Sequence, residues 1–104
     1  MSQNIFAEIP DELPTELFDQ LASGSEFSLK RIVSRGHCSD WYDQESSEWV
    51  ILLKGSATIE FEEEKFTPLH PGDYLHIPAH TRHRVSGTDP NQDTIWLALY
   101  YRDS

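Results

Sequence analysis

The hydrophobic pattern of this chain changes at about residue 26. In residues 1–26, Leu17, Phe18 and Leu21 are spaced to share one face of a helix. The proline at position 14 suits a first helical turn, and the glycine at position 24 suits a stop just beyond the end. This N-terminal segment is therefore predicted to contain a short helix over residues 14–22, packed on the outside of a second unit, residues 27–104.

From residue 27 onward the pattern has a period of two, which is typical of β-strands. β-Branched and aromatic residues occur in short runs, separated by turn residues at about every eight to twelve positions. The predicted strands are Ser28–Ser34, Trp49–Leu53, Ala57–Glu62, Tyr74–Ile77, Arg82–Ser86 and Thr94–Tyr101. The pattern indicates an all-β sandwich or barrel.

Alternation within each strand separates core-facing residues from solvent-facing ones. In Ala57–Glu62 the odd-numbered side chains are predicted to face the core, and the even-numbered ones, Glu60 among them, to face water. Trp49–Leu53 and Thr94–Tyr101 are apolar on both faces, so both faces need a cover. We expect the second cover to be either the N-terminal helix or, preferably, a second copy of the chain in a homodimer.

Composition narrows the classes of partner. The chain has 104 residues, 18 acidic against 8 basic, and a formal charge of −10. Such a surface repels phosphate backbones and anionic membranes, so neither nucleic acid nor a membrane is an expected partner. The chain has no apolar run long enough to span a bilayer, and its first ten residues lack the features of a secretory signal, so a cytoplasmic location is expected.

Two ionisable residues fall on apolar strand faces. Extending the inward face of Val50 and Leu52 back by two positions places Glu48 inside the barrel, and His83 shares a face with Val85. A buried charge needs a partner, and a divalent cation between carboxylate and imidazole would satisfy both. Alternatively, Glu48 reaches solvent at its strand end and His83 bonds a carbonyl near a turn.

Residues of two motifs resemble the cupin superfamily, and the resemblance covers about residues 30 to 101. Residues 72–83 follow the spacing G-x5-P-x-G-x2-H, with His80 in place of the second glycine. Glu48 and Gly55 follow the spacing E-x6-G, which ends the first cupin motif. The resemblance implies a small cupin-type jelly-roll barrel in which Glu48 and His83 are metal ligands.

The histidine pair that cupins carry upstream of the glutamate is missing. Depending on the spacing, its positions are occupied by Tyr42 and Gln44 or by Trp41 and Asp43. Gln44 can coordinate a metal through its amide oxygen, and a glutamine, glutamate and histidine set resembles part of the zinc site of cupin-type phosphomannose isomerases. Asp43 is the alternative ligand. The expected cofactor is one divalent ion, Zn, Fe, Ni or Mn, bound more weakly than in a complete cupin site.

Two function classes remain open from the sequence. One is an enzyme acting on a small molecule, with a metal-dependent activity of dioxygenase or of isomerase or epimerase type. Within this class a metal-free epimerase is also possible, with Tyr42 or His80 as the candidate catalytic acid and base. The other is a small-molecule-binding module without a catalytic metal. Fold resemblance does not choose between them, because cupins include enzymes and non-enzymes.

Overall fold

The computed structural model describes residues 2–102, which form eight β-strands. Their bounds are Leu17–Ser23 (β1), Phe27–Ser34 (β2), Ser47–Lys54 (β3), Ala57–Phe61 (β4), Lys65–Leu69 (β5), Tyr74–Ile77 (β6), His83–Thr88 (β7) and Thr94–Tyr101 (β8). All strand pairs are antiparallel, in a five-stranded sheet of order β1-β2-β8-β3-β6 and a three-stranded sheet of order β5-β4-β7. This is an all-β jelly roll, as the sequence predicted.

The core lies between the two sheets and is built from the strand faces that alternation assigned to it. The larger sheet contributes six buried side chains, and the smaller sheet contributes three. They are Ile32, Val50, Leu52, Ile77, Trp96 and Ala98 on one side, and Ala57, Ile59 and Leu69 on the other. Burying this apolar area provides most of the driving force for folding.

The predicted N-terminal helix is wrong. Leu17–Ser23 forms the edge strand β1, which pairs with β2 from Leu17 opposite Val33 to Ser23 opposite Ser28. A helix of about nine residues is only marginally stable by itself in water. The unpaired edge of β2 instead offers this segment a ladder of backbone hydrogen bonds, and the ladder outweighs the helical spacing of its apolar residues.

All six predicted strands are present, with ends that differ by at most two residues. The sequence reading missed β5, which follows an acidic turn and includes Pro68. Proline is tolerated there because β5 is an edge strand and pairs only with β4. Polar edge strands lack the strong alternation that identifies central ones.

The prediction that Glu60 faces water is also wrong. Glu60 is only 8% exposed, because Arg84, its cross-strand neighbour on β7, covers it. Two guanidinium nitrogens of Arg84 lie 2.7 Å from the same Glu60 oxygen. The indole of Trp41 stacks on both Arg84 and Arg82, with guanidinium carbons 4.8 and 4.4 Å from the ring centroid.

The turn between β3 and β4 requires glycine. Gly55 has a φ of +87°, and a Cβ there would lie 2.3 Å from the hydroxyl oxygen of Thr94. The turn therefore packs against the start of β8 too closely for a side chain at this position. Within residues 2–102 there is no helix long and apolar enough to cross a bilayer.

Candidate functional site

A cavity of about 410 Å³ opens between the two sheets, beside the core. Its apolar lining includes Ile59, Val85 and Trp96, and the aromatic ring of Phe18 on β1 lies at the same cavity. Its polar lining comprises Glu16, Lys30, Tyr42, Gln44, Glu48, His83 and Tyr100, together with several serines. A mostly apolar concavity with a few convergent polar groups is the ordinary form of a small-molecule site.

Glu48 is the centre of the polar lining. It begins the inward face of β3, is 8% exposed, and has Tyr100 as its cross-strand partner on β8. The amide nitrogen of Gln44 donates to its carboxylate over 3.2 Å, and the Tyr100 hydroxyl interacts with the same carboxylate. The carboxylate is therefore buried among polar groups that offset the cost of removing it from water.

His83 faces Glu48 from the opposite sheet. Its Nδ1 lies 2.8 Å from the carbonyl oxygen of Thr81, which can only accept, so Nδ1 carries the proton and donates. In the neutral ring, the lone pair of Nε2 therefore points toward Glu48. The distance from Nε2 to the Glu48 carboxylate oxygen Oε1 is 3.6 Å. This separation is too long for a good hydrogen bond.

The polar cluster shifts the pKa values of its members. Burial alone would lower the pKa of His83, but the Glu48 carboxylate and the Thr81 carbonyl outweigh it, and the pKa is raised above 6.5. Burial and then the negative charge of Glu48 raise the pKa of Tyr100 far above its ordinary value of 10. The Tyr100 hydroxyl therefore keeps its proton and serves as a donor.

Tyr42 stands at the mouth of the cavity. The backbones of Tyr42 and His83 donate one hydrogen bond to each other, with N···O distances of 2.7 and 3.0 Å. The centroids of the two side-chain rings lie 5.8 Å apart. Partial burial, followed by the charges of Glu16, Glu48 and Asp40, raises the pKa of Tyr42. The raised pKa keeps the Tyr42 hydroxyl protonated near neutral pH, so that it is available as a hydrogen-bond donor.

Asp43 and His80 do not line the cavity. They lie outside it, with Nδ1 of His80 3.0 Å from the Asp43 carboxylate and both side chains more than half exposed. Side-chain alternation explains this, because Asp43 points away from the side on which Tyr42 and Gln44 meet the cavity. His80 has a φ of 61°, a left-handed conformation that suits the glycine of the cupin spacing.

The donor set can be tested against the requirements of a metal ion. Within residues 2–102 no three His, Cys, Asp or Glu side chains converge, so a third ligand would have to be the Gln44 amide, rotated to present its oxygen. Two ligands of one tetrahedral ion, each bonded at 2.0–2.2 Å, lie about 3.4 Å apart. The 3.6 Å between Glu48 and His83 and the 3.2 Å between Glu48 and Gln44 are close to this value. The spacing of these two pairs therefore fits a shared ion, which Glu48, His83 and a rotated Gln44 amide would hold.

Sequence reasoning missed several polar residues of the cavity, among them Glu16, Lys30 and Tyr100, and the last two lie on the barrel strands. The signal that identifies these two is strand parity. Tyr100 follows Trp96 and Ala98 on the inward face of β8, and Lys30 precedes Ile32 on the inward face of β2. Both were inside predicted strands, but neither matches a motif position.

Comparison with known proteins agrees with the fold. The model of the cupin domain family matches residues 33–100. A structure from Ralstonia eutropha JMP134, described as a candidate mannose-6-phosphate isomerase, is 40% identical, with a TM-score of 0.93 and 99% of both chains covered. No functionally curated protein matches the chain.

More distant structures share the fold alone. A cupin superfamily protein of Desulfitobacterium hafniense DCB-2 is 21% identical, with a TM-score of 0.78 over 91% of this chain and 84% of that one. The polyketide cyclase RemF of Streptomyces resistomycificus is 18% identical, with a TM-score of 0.74 over 85% and 66%. The two-sheet jelly roll and its inward polar cluster define a β-barrel protein with an internal cavity. The chain belongs to the cupin family.

Proposed function

We propose that this cupin binds a small organic molecule in its cavity, next to a divalent metal ion held by Gln44, Glu48 and His83. The observation that best supports the metal site is the orientation of the His83 ring. A metal-bound histidine usually donates its other ring N–H to a carbonyl or carboxylate, which fixes the ring and its tautomer. The hydrogen bond from Nδ1 to Thr81 gives His83 this arrangement, with Nε2 toward Glu48.

When bound, Zn, Fe, Ni or Mn would supply Lewis acidity or a site for dioxygen. The chain's own residues would then orient the organic ligand. Trp96, Ile59 and Val85 exclude water from its apolar part, while the protonated hydroxyl of Tyr42 donates to it at the mouth. Asp43 and His80 have no part in this proposal, because they pair with each other outside the cavity.

An isomerase activity is supported by the description of the 40% identical relative, and an epimerase or dioxygenase activity by family resemblance alone. We further propose that the protein acts in the cytoplasm.

A second candidate is a binding module that needs no metal. The observation that favours it is the hydrogen-bonding state of the cluster. Glu48 already interacts with Gln44 and Tyr100, and every buried side-chain nitrogen and oxygen in the described part of the chain has a partner. Such a cluster is stable as a hydrogen-bonded network.

Metal titration separates the two candidates. Protein stripped with a chelator is titrated with Zn²⁺, Mn²⁺, Ni²⁺ and, without oxygen, Fe²⁺, while stoichiometry and melting temperature are measured. We expect one ion per chain in the wild type and none in Glu48→Gln or His83→Phe. The matched control is His80→Phe, which removes a histidine outside the cavity and should bind normally. A wild type that binds no ion, or variants that bind as well as it does, would rule out the metal site.

A further inference from the structure

Besides His83, the cavity is lined by a second basic side chain, that of Lys30. Lys30 lies on the inward face of β2, opposite Ala98 of β8, and among residues 2–102 it is the one lysine or arginine that lines the cavity. Its ammonium lies 5.5 Å from the centroid of the Tyr100 ring. Within residues 2–102 no carboxylate approaches it to ion-pair distance.

An unpaired ammonium in a partly buried cavity is unusual in this chain. Arg31, Arg35 and Arg84 each pair with a carboxylate of the fold. Lys30 has only an aromatic ring, a contact that tolerates partial desolvation but leaves the hydrogen-bond donors of the ammonium free. The donors can therefore be used by a bound anion.

We infer that the cavity selects a compact monocarboxylate, with its carboxylate on Lys30 and an apolar ring or chain against Trp96. This deepens the proposed function and rests on the cavity being a small-molecule site. One lysine offers a point charge and lacks the planar fork of arginine. A dianionic phosphate is disfavoured, because Glu16 and Glu48 line the same cavity and would repel its second charge.

The polarity of the cavity also orients the carboxylate. Tyr100 lies between the two charged groups, with Lys30 over its ring and Glu48 interacting with its hydroxyl. The end of the ligand that reaches Glu48 and His83 must therefore be neutral or a hydrogen-bond donor. The overall charge of −10 opposes unspecific anion binding elsewhere on the surface. Binding of a carboxylate should therefore depend on Lys30.

The test uses four probes of similar shape: phenylacetate, phenylacetamide, phenethylamine and phenyl phosphate. Their affinities are measured by calorimetry for the full chain with chelator present, so that no metal ion can hold the carboxylate. We expect phenylacetate to bind at least about tenfold more tightly than the other three probes, because a charge-assisted hydrogen bond is roughly twice as strong as a neutral one.

Three variants assign the preference to Lys30. Lys30→Met should bring phenylacetate down to the affinity of phenylacetamide and leave phenylacetamide unchanged. Lys30→Arg should retain the preference, and Lys54→Met, which removes an exposed lysine, should behave as wild type. Melting curves of each variant confirm that it is folded.

The remaining outcomes overturn the inference in distinguishable ways. Equal binding of carboxylate and amide, tighter binding of phenyl phosphate, or a preference that survives Lys30→Met would refute the carboxylate site and leave the cavity as a small-molecule site. Failure of all four probes to bind would refute both this inference and the small-molecule part of the proposed function. Metal binding is measured separately and is not affected by any of these results.

Discussion

The ion pair of Arg84 and Glu60 lies beside the site, and the structure indicates how much stability is lost when it is broken. Glu60 of β4 lies opposite Arg84 of β7. The neighbouring residues of β7, His83 and Val85, line the cavity. The Glu60 side chain is 10% exposed and that of Arg84 is 39% exposed. Replacing Arg84 by methionine keeps most of the apolar stem but leaves the Glu60 carboxylate without its cation.

Breaking a fully buried ion pair costs about 3–5 kcal/mol. The exposure of Arg84 lets water replace part of the interaction, so we expect about 2 kcal/mol for Arg84→Met, including the stacking on Trp41. For a domain of about 100 residues this lowers the melting temperature by about 10 °C.

Thermal unfolding followed by circular dichroism measures this loss. The control is Lys65→Met, which breaks the exposed pair of Lys65 and Glu63 and should change stability by less than about 0.5 kcal/mol. Glu60→Leu combined with Arg84→Met should recover part of the loss, because no buried charge is then left unpaired. Equal effects of Arg84→Met and Lys65→Met would refute the conclusion that Glu60 is a buried, paired carboxylate.

Three further predictions follow from single observations. His80→Gly should stabilise the fold by up to about 1 kcal/mol, because φ is 61° at this position, and a lower melting temperature would contradict it. Hydrogen bonds from the Asn91 backbone N–H and then the Gln92 amide lower the pKa of Asp89 below 3.8. The stability that these bonds provide is therefore present above pH 3.8 and is lost as the pH falls through the pKa of Asp89 in the folded protein. The difference in free energy of unfolding between wild type and Asp89→Asn should therefore disappear in acid. A difference that stays constant with pH would contradict this prediction. We also propose a homodimer through the outer face of the larger sheet, where Ile51 lies opposite Leu97. Light scattering should then give twice the 12.0 kDa chain mass for wild type and the single mass for Ile51→Glu, whereas a monomeric wild type would contradict it.

Much of the fold was predictable from local pattern. The period of two in the apolar positions identified six strands, because each of these strands presents one face to the core. Parity also placed Glu48 and His83 inside the barrel, where the structure has them buried. Gly55 lies between two of the predicted strands, and its φ of +87° makes glycine the residue that this turn requires.

Tertiary structure decided what local pattern could not. The segment Leu17–Ser23 is a strand because β2 offers a free edge, a partner that is not visible in the segment's own sequence. Glu60 is buried because it pairs with Arg84, a residue 24 positions further along the chain on which Trp41 stacks. The sequence left Gln44 and Asp43 as equal candidates to join Glu48, and only the folded chain separates them. It turns Gln44 toward the cavity and Asp43 toward His80, because neighbouring side chains of an extended backbone point in opposite directions and only packing decides which side is inside.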